Sequence, residues 1–238
     1  YTRFLGTIDH GEKEYLFNDK CYEIVSCSTV TKVKRLDLLI NALSQIKAIP
    51  IKWTHYGDGI LMDEIKKIGV IGAGSFGTAL AMTLTQKGHE VTLWARRTEQ
   101  IEEMRRTRQN PRYLPEIPLP ETLDLTDDLQ EAVTDKNLLL MAVPAQTFRG
   151  VFTQVSACMD ARTPIVNVAK GIEKGSLLRL SEVARQILPE VRYAALSGPS
   201  HAEEVARALP TTVVTASEDA DLAIAVQDVF STERFRVY

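Results

Sequence analysis

Lys67-Ile68-Gly69-Val70-Ile71 runs straight into Gly72-Ala73-Gly74-Ser75-Phe76-Gly77 and on into Thr78-Ala79-Leu80-Ala81. The order is a short apolar strand, a glycine turn and the opening of a helix. A dinucleotide pyrophosphate needs that sequence of elements. Gly72 permits the tight turn, Gly74 lets the backbone approach phosphate with no Cβ between, and Gly77 lets the helix pack closely on the sheet. The helix N-terminus then offers unpaired N–H groups to the anion. Ser75 and Phe76 lie on the turn, the first placed to meet the pyrophosphate through its backbone and the second to cover the cofactor. The bland alternatives are a helix N-cap and a packing aromatic.

A second strand, Glu90-Val91-Thr92-Leu93-Trp94-Ala95, follows Lys87-Gly88-His89, where Gly88 is a helix stop. Its end normally carries an acid for the ribose hydroxyls, about 20 positions after the last motif glycine. Arg96 and Arg97 stand there instead. A guanidinium fork suits a 2′-phosphate, so the pair favours NADP(H), with NAD(H) as the alternative. The competing reading is two solvated arginines opening the next helix.

From Lys66 onward strand and helix patterns alternate. Helices are expected near 99–108, 127–133, 146–158, 177–188, from 202 and over 219–230, with Leu177 on the apolar face of the fourth. Strands are expected at 122–126, 138–143, 164–168, 193–196, 211–215 and 235–237. The run 138–143 is continuously apolar, as a strand buried on both faces is. The stretch 110–115 reads as a loop. This alternation predicts an α/β fold with a Rossmann-type, doubly wound, mostly parallel sheet. Residues before Met62 follow another pattern: strands at 22–28 and 51–56, an amphipathic helix at 36–46 and a break at Gly57-Asp58-Gly59. They form an incomplete N-terminal βαβ segment, too small to bury a core alone. The domains are therefore 1–62 and 63–238. At the junction, Ile65-Lys66-Lys67 is expected to open a strand.

The 238 residues carry a net charge of −3, with no basic excess for nucleic acid or an anionic membrane. No apolar run spans a bilayer, and the start does not read as a signal peptide. Cys21, Cys27 and Cys158 have no metal-ligand spacing and fit reduced thiols in a cytoplasmic protein. No metal is expected.

Six strings occur in order: Gly72-Ala73-Gly74-Ser75-Phe76-Gly77-Thr78-Ala79-Leu80, Asn110-Pro111-Arg112-Tyr113-Leu114-Pro115, Ala142-Val143-Pro144, Ala169-Lys170-Gly171-Ile172-Glu173, Leu196-Ser197-Gly198-Pro199-Ser200 and Phe235-Arg236-Val237-Tyr238. On these, residues 66–238 resemble the N-terminal domain of bacterial NAD(P)-dependent glycerol-3-phosphate dehydrogenase. Residues 1–67 resemble a piece of the C-terminal domain of a GT-B group 1 glycosyltransferase, through Lys34-Arg35-Leu36-Asp37-Leu38-Leu39-Ile40 and Trp53-Thr54-His55-Tyr56-Gly57-Asp58-Gly59. An arginine usual near Thr29 is missing, which argues against transferase activity; Lys34 reads as a solvated lysine.

The dehydrogenase resemblance implies interconversion of dihydroxyacetone phosphate and sn-glycerol 3-phosphate, a precursor step for phospholipids, in a cytoplasmic homodimer. It implies cofactor contacts from Gly72, Gly74, Ser75, Phe76, Gly77, Arg96, Arg97, Tyr113, Lys170 and Ala202, and substrate contacts from Lys170, Gly198 and Ser200. Tyr113 reads equally as a buried loop aromatic, Lys170 as an exposed loop lysine and Ser200 as an N-cap. His201 reads as the start of a helix rather than an acid–base group. The family's catalytic lysine lies in a helical C-terminal domain, so the resemblance implies no catalytic residue here, and binding without turnover. Alternatives are a β-hydroxyacid or 6-phosphogluconate dehydrogenase-like enzyme and a non-catalytic dinucleotide-binding module.

Overall fold

The structure is a computed structural model that describes residues 67–238 in full and the backbones of 22–27 and 51–56. Strands β1 (Tyr22–Cys27) and β2 (Ile51–Tyr56) pair in parallel, Tyr22 opposite Ile51, and belong to a first unit, Tyr1–Met62. The expected 36–46 helix, the 57–59 break, Thr29, Lys34 and Cys21 lie outside the described residues.

The second unit, Asp63–Tyr238, is built on an eight-stranded sheet. In chain order its elements begin with β3 (Lys67–Ile71), α1 (Ser75–Gln86), β4 (Glu90–Trp94) and α2 (Thr98–Thr107). A small hairpin of β5 (Gln109–Asn110) and β6 (Leu114–Pro118) precedes β7 (Asp124–Thr126) and α3 (Leu129–Val133). Then come β8 (Leu138–Met141), α4 (Ala145–Cys158), β9 (Ile165–Asn167), α5 (Leu180–Ile187), β10 (Tyr193–Ser197) and α6 (Ala202–Ala206). Strand β11 (Thr211–Ser217), α7 (Ala220–Phe230) and β12 (Phe235–Val237) finish the unit. The sheet order is β12-β11-β10-β9-β8-β3-β4-β7, parallel throughout except between β10 and β11.

Successive strand residues face opposite sides, so the central strands feed two cores. Ile68, Val70, Leu138 and Leu140 join Leu80 and Val226 on the α1 and α7 side. Ile71, Leu139 and Met141 join Phe148, Phe152 and Val183 on the α4 and α5 side. Strands β8 and β9 are buried along their whole length, as central parallel strands are. Gly69 is required by this layering, since a Cβ there would fall 2.0 Å from Ala132 O in α3.

Three expectations change. The 110–115 loop is the edge of the β5–β6 hairpin. Leu177 is not on a helix: it is 73% exposed with φ of 58°, and α5 starts at Leu180, where Arg179 N donates to Glu182 Oε2 at 2.8 Å. The 127–133 helix is also shorter, because Asp128 accepts from Gln130 N and caps it. Gly88, with φ of 98°, ends α1 as expected, and the strand reading holds at Lys67.

Candidate functional site: a glycine turn at the carboxyl edge of the sheet

Strand β3 lies between β4 and β8, the place where the order of the parallel strands reverses. In open α/β sheets a ligand crevice forms there, beyond the carboxyl ends of the strands. Gly72 turns the chain out of β3 at φ of 120°, and its N–H donates to Trp94 O at 3.0 Å. A Cβ on Gly72 would fall 2.5 Å from Ala142 O, beyond β8. One on Gly77 would fall 2.0 Å from Gly72 O. Gly74 differs, because a Cβ there would meet nothing within 4 Å.

Gly74 is also the N-cap of α1, with no side-chain cap and no acid in the first turn. Ser75 is therefore the first helical residue and not the cap, and Phe76 is half-buried against the core. An uncapped helix start beside open space fits a phosphate chemically: the first N–H groups have no helical partner, and the helix dipole favours an anion.

The turn is braced from the side. Ala73 O accepts Gln100 Nε2 at 2.8 Å and Asn110 Nδ2 at 3.1 Å, and Asn110 Nδ2 also donates to Thr78 Oγ1 at 2.8 Å. Gln100 Oε1 accepts Arg97 Nη2 at 3.0 Å, so Arg97 is tied through Gln100 to the glycine turn. Arg97 is half-buried as the N-cap of α2, while Arg96 beside it is exposed. Tyr113 is not a buried loop aromatic: it is 36% exposed, with the Arg112 guanidinium 5.4 Å from its ring centroid.

Farther along the same edge, Lys170 follows β9. Its Nζ donates to Gly198 O at 3.1 Å, and Ser200 Oγ donates to the same carbonyl at 3.4 Å. Three candidate substrate residues thus meet at one point. Gly198 also has a packing duty, since a Cβ there would lie 2.8 Å from Val213 Cα of β11. Ser200 does not cap α6; His201 holds the N-cap position, and Ala202 opens the helix buried in the core.

The segment after Lys170 is fastened to α4. Arg149 pairs with Glu173 through two contacts of 2.7 Å, and Ser176 Oγ donates to Glu173 at 2.6 Å. Gln146 Nε2 donates to Ile172 O at 2.8 Å, and its Oε1 accepts Lys174 N at 2.9 Å. The Arg149 hydrogen bonds, then that of Ser176, hold the Glu173 carboxyl at about 2. On the near side of Lys170, Asn167 Oδ1 accepts Ala169 N at 3.2 Å. Tyr193, bonded to Asn167, has its phenol pushed up to about 12 chiefly by burial.

The sequence profile of the NAD-dependent glycerol-3-phosphate dehydrogenase N-terminal family matches residues 67–223. The chain belongs to this family. It is 48% identical over 174 residues to a glycerol-3-phosphate dehydrogenase (NAD(P)+) of Carboxydothermus hydrogenoformans, covering 72% of this chain and 52% of that one. A relative of the same name in Geobacter sulfurreducens is 47% identical over 176 residues, covering 73% and 52%. The crystal structure of glycerol-3-phosphate dehydrogenase from Coxiella burnetii superposes with a TM-score of 0.70 at 41% identity, covering 73% of this chain and 53% of that one. The chain spans about half the length of the curated relatives it matches.

In this glycerol-3-phosphate dehydrogenase domain, sequence reasoning singled out the glycines, Arg97, Lys170, Gly198 and Ser200 but passed over the brace of Gln100, Asn110 and Thr78. Asn110 opens a quoted family string, which was the available signal. Gln100 had none, since glutamine on a helix is ordinary. Among the described residues, no group of three His, Cys, Asp or Glu stands together as a metal site, and no helix is long and apolar enough to cross a membrane.

Proposed function

We propose that this chain is the cofactor-binding half of a glycerol-3-phosphate dehydrogenase that interconverts dihydroxyacetone phosphate and sn-glycerol 3-phosphate with NAD(P)(H). The observation that carries the reading is the open space at Gly74 beside the uncapped start of α1. When bound, the nicotinamide supplies the hydride for the ketone carbon of the substrate. The residues of this chain bind and orient. Gly74, Ser75 and Gly77 receive the diphosphate on backbone N–H groups. Gly72 makes the turn that places them, its own N–H being held by Trp94 O. Phe76 and Tyr113 border the cofactor, and Ala202 closes the cleft from α6. Lys170 brings one positive charge to Gly198 and Ser200, a combination suited to a phosphorylated triose. Its ammonium is a compact point charge with three donors, so it can hold Gly198 O and still offer two to substrate.

The preferred cofactor is NADP(H), because Arg97 is held beside the turn and Arg96 is free to swing in solvent next to it. Calorimetry with NADPH and NADH on the chain and on an Arg96→Asp, Arg97→Asp variant tests this. A 2′-phosphate read by guanidinium groups contributes about 1.5–3 kcal/mol, so the NADPH-to-NADH affinity ratio is expected to fall at least about tenfold. An unchanged ratio refutes the arginine reading. A steady-state assay with dihydroxyacetone phosphate is expected to show binding with little turnover, and rates matching full-length relatives would refute the cofactor-half reading.

The homodimer and the cytoplasmic setting of the family belong to the same proposal, and size-exclusion chromatography tests the first. For residues 1–62 we retain the glycosyltransferase-type strand–helix–strand reading, supported by the parallel β1–β2 pair. No UDP-sugar binding is expected from it.

A further inference from the structure

The carbonyl of Ala73 is held from two directions, by Gln100 on α2 and by Asn110 on β5. Asn110 is fully buried, and its Oδ1 has no hydrogen-bond partner among the described residues. An unpaired buried acceptor costs about 1–3 kcal/mol, so what this amide contributes lies on its donor side, at Ala73 O and Thr78 Oγ1. The orientation of Gln100 is settled by chemistry. A guanidinium only donates and a carbonyl only accepts, so the oxygen must face Arg97 and the nitrogen Ala73 O.

A trans peptide is planar, with its C=O and N–H pointing in opposite directions. Fixing Ala73 O from the α2 and β5 side therefore fixes the Gly74 N–H away from it. That N–H donates to no protein group among the described residues, and Gly74 borders open space. Hydrogen bonds accepted by the carbonyl also polarise the peptide and strengthen its donor, by about 10–30% per bond.

We propose that Gln100 and Asn110 are positioning residues that aim the Gly74 N–H at the dinucleotide diphosphate, and that Gln100 links this donor to the Arg97 guanidinium. The inference rests on the dinucleotide reading above and adds the device that orients its diphosphate donor. It makes the two ends of the adenosine diphosphate moiety structurally dependent on one amide: the oxygen of Gln100 restrains the ribose-side arginine and its nitrogen restrains the diphosphate turn.

The test is an amide NMR titration of the 238-residue chain and its Gln100→Met variant with ADP and, separately, with adenosine. Methionine keeps helix propensity and volume and removes the donor. ADP lacks a 2′-phosphate, so release of Arg97 does not enter the result. The variant is expected to bind ADP about tenfold more weakly, to bind adenosine within twofold of the parent, and to show a smaller ADP-induced shift of the Gly74 amide. Asn110→Ser provides a second variant with the same expected pattern, and Gln100→Met decides the matter if that buried substitution unfolds the domain. An unchanged ADP affinity with an intact Gly74 shift overturns the inference, as does an equal loss for ADP and adenosine. A parent chain that binds neither ADP nor NADH overturns the dinucleotide reading itself, and the inference with it.

Discussion

Gly74 and Gly77 stand three positions apart and do opposite work. At Gly74 the backbone, φ −77° and ψ −178°, is ordinary for any residue, and an added methyl meets nothing. Gly74→Ala is therefore expected to cost below about 1 kcal/mol of stability while placing a methyl group where phosphate approaches. Its thermal midpoint should stay near the parent's, and its NADH affinity should fall at least about tenfold. At Gly77 the methyl would press on the backbone oxygen of Gly72, which has nowhere to relax. Gly77→Ala should lose about 1–3 kcal/mol as an overpacked site does, together with cofactor affinity. Paired calorimetry and thermal unfolding separate the two residues; equal melting losses would contradict the steric assignment. The motif alone marks both as glycine, and only the surroundings say which excludes a neighbour and which admits a ligand.

At the scale of the element, the 170–179 segment connects the candidate substrate lysine to α4. Its internal geometry is unusual, with positive φ at Gly171, Gly175 and Leu177 and a bridge between Ile172 and Arg179. The Arg149–Glu173 pair holds it down. Because the folded-state carboxyl of Glu173 sits at about 2, below the ordinary 4.5, its stabilisation is complete above pH 4.5 and is lost as pH falls toward 2. Glu173→Gln should flatten the stability-against-pH curve in that window without abolishing the slope. Asp160, held at about 2 by Arg162, and Asp219, lowered chiefly by its hydrogen bond from Arg192, titrate the same way. Urea unfolding at a series of pH values measures this, and a variant slope equal to the parent's would show that the pair does not contribute. Leucine spacing that reaches back to Leu177 predicts a longer helix after this segment than the one that forms. Periodicity records apolar positions, not backbone direction, and the Gly175 turn with the Arg179–Glu182 contact sets the start at Leu180.

For the whole molecule, helices of the 67–238 segment lie on both faces of the eight-stranded sheet, and all the residues of the glycine turn and its brace belong to that segment. Removal of residues 1–62 is accordingly expected to leave NADH affinity within twofold and the far-ultraviolet spectrum of the Rossmann unit intact. Loss of binding would show that the first unit takes part. The alternation of strand and helix, the buried central strands and the glycine bend were legible in the amino-acid order, because strand burial, helix periodicity and turn chemistry are local properties. The reversal of β11 against β10, the β5–β6 hairpin and the meeting of Lys170 with Gly198 and Ser200 came only with the tertiary structure. The same is true of the Gln100–Asn110 clasp on Ala73. Strand direction and side-chain convergence depend on which distant segments become neighbours, and a buried amide on one strand carries no mark of the carbonyl it will hold 37 residues away.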